Sequence, residues 1–178
     1  MLKWSLAALA AIVVVFLIVV AMQPSDFRIE RSATMRAPAP AAFAQVNDFH
    51  NWREWSPWEK VDPALKRQYD GPKAGTGAVY AWQGNKDVGE GRMTITDSKP
   101  AELVRIRLEF FKPFAATNQA EFRFQPASTD TTAVTWTMTG QNNFLSKAIC
   151  LFVDMDKMVG GMFEQGLNQM KTVVERSS

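Results

Sequence analysis

The period of the hydrophobic pattern, and the point where it changes, constrains this chain most. From Phe27 to Gly140 apolar residues recur at every second position in short runs. From Leu151 onward they recur at every third or fourth. Side chains alternate across a strand but share one helix face at steps of three and four, so the first pattern reads as sheet and the second as helix. Phe27–Arg36 sets Phe27, Ile29, Ala33 and Met35 against Arg28, Glu30, Ser32, Thr34 and Arg36, with Arg31 the one breach. Further runs lie at Arg67–Asp70, Gly77–Gln83, Val88–Asp97, Leu103–Phe111, Asn118–Gln125 and Thr132–Gly140. Each has one apolar and one polar face, as in an antiparallel sheet wetted on one side. Gly84-Asn85 reads as a tight turn between two of these strands.

Between the first strand and the rest, Pro40 suits the first turn of a short helix over Ala41–Val46. Asp48–Trp58 reads as a second short helix ended by Ser56-Pro57, with Phe49, Trp52 and Trp55 on one side. The terminal pattern predicts one amphipathic helix from about Ser146 to Glu175. Gly160, Gly161 and Gly166 each cost this helix about 1 kcal/mol relative to alanine, which points to close approach of the sheet or a bend. The sheet must bury its apolar face, and this helix is the only element large enough to cover it. The expected architecture is α+β, a curved antiparallel sheet of six to seven strands wrapped around a long C-terminal helix.

One segment stands outside that plan. Trp4–Met22 runs nineteen residues without a charge, enough at about 1.5 Å per residue to cross nearly all of a hydrocarbon core of about 30 Å. Trp4 suits the interface, and Gln23-Pro24-Ser25-Asp26 makes an abrupt polar exit. A cleaved secretory signal, with Lys3 as its basic region, is the competing reading. The segment is longer and more evenly apolar than a signal core of about 7–15 residues. Residues 1–23 are therefore expected to be a single-pass membrane anchor and 24–178 the folded domain. Positive charges flank both ends, so the side on which the domain lies stays open.

Asn51-Trp52-Arg53-Glu54-Trp55-Ser56-Pro57-Trp58-Glu59, Gly71-Pro72 with Gly75-Thr76-Gly77-Ala78, Tyr80-Ala81-Trp82-Gln83-Gly84-Asn85 and the helix from Met155-Asp156-Lys157-Met158 to Lys171 carry a family resemblance. Over about Phe27–Glu175 the chain resembles the START/Bet v 1-like (SRPBCC) superfamily of helix-grip domains. These include polyketide cyclase/dehydrase-type and lipid-transport proteins, among them membrane-tethered bacterial members. The resemblance implies a cavity between sheet and helix that holds a lipid or other hydrophobic small molecule. The superfamily shares no catalytic motif, so no catalytic residue carries over.

On that implication the ligand-binding residues are expected to be Tyr80, Trp82, Met93, Ile106, Phe110, Phe122, Phe124, Trp136 and Met138 from the sheet. Met155, Met158 and Met162 would join them from the helix. Gly89 and Gly91 fall on the parity of Met93 and would leave room beside it. Flexible thioethers suit a surface that repacks around varied apolar ligands. Plain core packing explains the same stripes and stays open.

The 20 basic and 18 acidic residues are too evenly spread to form a nucleic-acid footprint. Cys150 has no second cysteine to pair with, and His50 is the single histidine, which excludes most thiolate- or imidazole-based metal sites. No phosphate loop is present, and no cofactor or metal is expected. A cyclase- or aromatase-type enzyme acting on a polyketide-like substrate is the alternative, with Tyr80, Glu90 or His50 carrying proton transfer. Glu90 and Arg92 are expected to form an exposed pair, and Cys150 to be buried. A protein partner could dock on Trp52, Trp55 and Trp58, taken as an exposed cluster.

Overall fold

A computed structural model describes residues 2–176; the side chain of Lys3 and the last two residues of the expected domain lie outside the described part. Helix α1 (Leu2–Met22) leads through three residues into β1 (Asp26–Met35). Then come α2 (Ala39–Asn47), α3 (Trp52–Trp55) between two single turns of 3-10 helix, and six further strands. These are β2 (Lys66–Asp70), β3 (Val79–Gln83), β4 (Glu90–Lys99), β5 (Leu103–Lys112), β6 (Ala116–Ser128) and β7 (Thr131–Gln141). Helices α4 (Phe144–Cys150) and α5 (Met155–Arg176) close the chain.

All seven strands form one antiparallel sheet in the order β1-β7-β6-β5-β4-β3-β2. Strands β2 to β7 are a meander, and β1 adds to its far edge beside β7. The chain between β1 and β2 must therefore cross the whole sheet, and it does so as α2 and α3 over the apolar face. A bulge at Thr96 shifts the β4–β5 register between Ile95 and Asp97. Bulges bend a strand and increase its twist, which helps the sheet curve around what it covers.

The α+β helix-grip expectation holds, with three local corrections. The C-terminal helix is two helices broken at Leu151–Asp154. Asp154 accepts from the Lys157 amide at 2.9 Å and so starts α5 afresh. The connection after β3 is a six-residue loop, Gly84–Gly89, in place of a tight turn. Asp62 accepts from the Asn85 amide at 2.7 Å, and the Asn85 side chain accepts from Asp87 and Val88. Asp48–Trp58 is mostly 3-10 turns around the four residues of α3, which ends at Ser56-Pro57.

Helix α5 buries Phe163, Leu167, Met170, Val173 and Val174. At Gly166 an added Cβ would lie 3.0 Å from the Trp136 ring and 3.1 Å from Pro57, so this glycine lets the helix approach the sheet. Arg31, the breach in β1, is the reason for Gly160. Its guanidinium lies over Gly160 in the space a Cβ would take. It donates from Nε to Glu164 at 2.8 Å and to Asp156 Oδ2 at 2.9 Å. The breach thus fastens the first half of α5 to the edge strand.

Candidate ligand site between sheet and helix

The cross-strand register arranges the apolar face in rows. One row is Ile29, Met138, Ala120, Ile106 and Ile95; the next toward the β6–β7 turn holds Trp136, Phe122 and Val104. In that second row the indole of Trp136 stacks on Phe163 of α5 with centroids 4.0 Å apart and planes within 5°. Phe122 lies 4.6 Å from Trp136 on its other side, and Trp55 and Trp58 approach it edge-on at 5.7 Å each. Edge and offset stacking follow the quadrupoles of the rings, so this cluster is cohesive beyond its area burial. Trp136 Nε1 is buried in it without a hydrogen-bond partner among the described residues.

The expected lining residues separate into three groups. Tyr80, Met93, Ile106, Phe122, Trp136 and Met138 are buried along the centre of the sheet. Phe124 is also buried but stands apart, toward the β6–β7 turn, edge-on to Phe43 of α2 at 5.7 Å. Trp82 and Phe110 lie half-buried at the opposite end, 5.9 Å apart and T-shaped. Met155 and Met162 are half-buried on the first half of α5, whereas Met158 is 54% exposed and points away from the interior. Gly91 leaves no room beside Met93, because the Trp82 ring occupies the space where its Cβ would stand. Phe163, the ring in closest contact with Trp136, went unassigned in the sequence although its helical spacing put it on the core face.

The tryptophan cluster on which a protein partner was expected to dock is buried. Trp52 and Trp55 are 4% and 0% exposed, and Trp58 is packed against the core. Their Nε1 groups donate to Val46 O at 3.1 Å and Gln45 O at 3.0 Å. Indoles whose polar end is met by α2 carbonyls can bury the rest of the ring, and local spacing could not reveal those acceptors. Cys150 is likewise corrected, being exposed on α4.

The ionisable residues proposed for chemistry are committed elsewhere. Tyr80 Oη donates to Glu59 Oε1 at 2.6 Å, and Arg67 Nε donates to Glu59 Oε2 at 2.6 Å. Burial, reinforced by the hydrogen bond to Glu59, pushes the Tyr80 phenol far above its ordinary range. His50 Nδ1 lies 2.7 Å from Asp48, and its ring stacks on Tyr69 at 4.0 Å. That pair borders a small hollow of about 80 Å³. Glu90 does not pair with Arg92. It accepts from Lys112 and Gln83 at 2.9 Å each, and Arg92 pairs with Glu109 on the neighbouring β5 at 3.0 Å. The Lys112 and Gln83 hydrogen bonds hold the Glu90 carboxyl below its usual range. No cluster of metal-ligating side chains occurs among the described residues.

A broad, open groove of about 1050 Å³ lies elsewhere, over the starts of β1 and β6, the end of β7 and the adjoining parts of β4 and β5. Its walls include Arg28, Thr96, Asp97, Arg105, Arg107 and Gln119, and none of the expected lining residues. Cations there are paired, Arg105 with Glu121 of the neighbouring β6 at 2.7 Å and Arg107 with Glu109 along β5 at 2.7 Å.

One family model, described as polyketide cyclase / dehydrase and lipid transport, matches residues 26–175, the span of this sheet and its long helix. The chain belongs to this family. Norcoclaurine synthase from Thalictrum flavum, in complex with dopamine and hydroxybenzaldehyde, superposes with a TM-score of 0.64 at 9% identity, over 87% of this chain and 90% of that one. The Zhui aromatase/cyclase from a Streptomyces species gives 0.55 at 16% identity, over 85% and 94%. A protein from Thermobifida fusca gives 0.61 at 21%, over 84% and 93%. At such identities the likeness shows the helix-grip fold. No curated protein gives a significant match.

Proposed function

We propose that residues 24–178 bind a lipid or other hydrophobic small molecule without catalysis, and that residues 1–23 hold this domain to a membrane. The observation that carries the reading is the indole N–H of Trp136, buried at the centre of an apolar sheet–helix face with no partner among the described residues. An unsatisfied buried donor costs about 1–3 kcal/mol. A ligand whose polar group reaches Trp136 while its apolar body replaces ring contacts recovers that cost. The membrane part rests on α1, whose apolar side chains from Trp4 to Met22 are almost all exposed and whose mean hydropathy is 3.0.

The non-catalytic part rests on the commitments of Tyr80, Glu90 and His50. General acid–base chemistry needs a group free to face the substrate, and each of these already holds a carboxylate or a cation. The test has two parts. Native mass spectrometry of the full chain extracted in detergent is expected to show a retained apolar molecule. A fluorescent fatty acid is expected to saturate residues 24–178, and Trp136→Phe to weaken it about 2–10-fold, the worth of one hydrogen bond. No bound molecule, together with no saturable uptake, would overturn the reading.

A further inference from the structure

The register brings one end of the sheet next to the anchor. β1 begins at Asp26 opposite the end of β7 at Gln141, and β6 begins at Ala116 opposite Phe110 near the end of β5. The exit of α1, the start of β1, the β5–β6 turn and the β7–α4 connection therefore share one end of the molecule. The half-buried Trp82 and Phe110 lie at this end too.

The same end carries the exposed large apolar residues of the domain's connections. Phe111 and Phe114 at the β5–β6 turn are 51% and 59% exposed, and Phe144, Leu145 and Phe152 on and after α4 are 51%, 52% and 80% exposed. The patch needs a rationale, since outside α1, the β5–β6 turn and residues 144–153 the exposed large apolar residues among those described are only Val61 and Met158. Its position relative to α1 supplies one. Phe152 packs against Phe16 with ring centroids 6.4 Å apart. Phe16 lies six residues inside the end of the apolar helix, a depth of about 9 Å at 1.5 Å per residue. Helices lying in a membrane interface bury their apolar face by about 5–10 Å.

We propose that α4, the Phe152 corner and the β5–β6 turn are embedded in the interfacial layer of the phospholipid bilayer that α1 spans, so that the anchor-proximal end of the sheet–helix interior opens onto lipid. The inference rests on the reading of α1 as a membrane anchor, and it goes beyond tethering: the domain is set into the surface, with a fixed face down. A hydrophobic ligand then passes between bilayer and interior without crossing water.

The test uses the full chain, reconstituted at high lipid-to-protein ratio in vesicles of phosphatidylcholine and phosphatidylglycerol. In a Cys150→Ser background, single cysteines replace Val13, Phe114, Phe152 or Asp130, and each carries an environment-sensitive fluorophore. Asp130 lies in the β6–β7 turn at the far end of the sheet, about 34 Å away for strands of this length. Spin-labelled lipids are expected to quench the Val13, Phe114 and Phe152 labels and to spare Asp130, whereas aqueous iodide quenches Asp130 only. Quenching of Val13 by lipid with Phe114 and Phe152 open to iodide would overturn the inference and leave the anchor standing. Protection of Phe114 and Phe152 from both quenchers would mean that a second copy covers the patch, which also overturns it. A Val13 label that lipid does not quench would sink the anchor reading and this inference together.

Discussion

The Trp136–Phe163 stack makes a quantitative demand on the domain. Phe163 is 2% exposed, parallel to Trp136 at 4.0 Å and edge-on to Trp58 at 6.2 Å. Phe163→Ala removes a ring clamped between sheet and helix. The surroundings are two indoles fixed by their own packing, so they collapse little into the gap. Deleting a buried phenylalanine at such a site costs about 3–5 kcal/mol, of which ring–ring geometry supplies about 0.5–1.5. Against a typical domain stability of about 5–15 kcal/mol this leaves residues 24–178 folded but weakened. Urea unfolding followed by tryptophan fluorescence and far-ultraviolet circular dichroism should show the midpoint falling by about 1.5–3 M with an unchanged slope. A loss below about 1 kcal/mol would refute the reasoning, because it would mean the ring borders open space in solution and the interior is a void, not a packed cluster.

The Arg31 fastening makes Gly160 context-dependent. Gly160→Ala in an Arg31→Met background should stabilise α5 by about 1 kcal/mol through helix propensity, and in the native background by clearly less, because the methyl displaces the guanidinium; equal gains in urea unfolding would refute the link. The same fastening has a pH signature. Hydrogen bonding to Arg31 lowers the pKa of the Asp156 carboxyl, so its stabilisation is present above the unfolded aspartate value of about 3.9 and is lost as pH falls through the lower folded value. The stability gap between native and Arg31→Met protein should close on acidification through that window; a gap that widens there would contradict the sign. Gly91→Ala should destabilise by about 1–3 kcal/mol, because its methyl would meet both the Trp82 ring and the Glu109 carbonyl oxygen of β5, and a neutral thermal shift would show that ring and strand both give way.

Much of the fold was legible because strand and helix periods are properties of the local backbone. The alternation in Phe27–Arg36 and Thr132–Gly140 marked both as strands with one buried face, and only the register showed that they pair at the edge of the sheet. The site was legible only as a face. The pattern marks Trp136, Phe122 and Ile106 as inward, but it cannot tell which inward residues fill space for one another and which border a ligand. The helix break at Leu151–Asp154 was missed because apolar residues continue across it at near-helical spacing, and the decisive signal is a single Asp154 cap. Arg31 looked like an error in a strand pattern, since its partners lie more than a hundred residues away.

By itself the sequence determined that a sheet grips a C-terminal helix and that nineteen uncharged residues precede it, because both follow from side-chain period and backbone geometry along a continuous segment. Only the tertiary structure decided which polar groups are spent. Glu59 takes Tyr80 and Arg67, Glu90 takes Lys112, and α2 carbonyls take the indoles of Trp52 and Trp55, whereas the Trp136 indole is buried without an acceptor among the described residues. Those assignments depend on cross-strand register and helix placement. No local pattern encodes either, because hydrogen-bond partners are chosen by proximity in space.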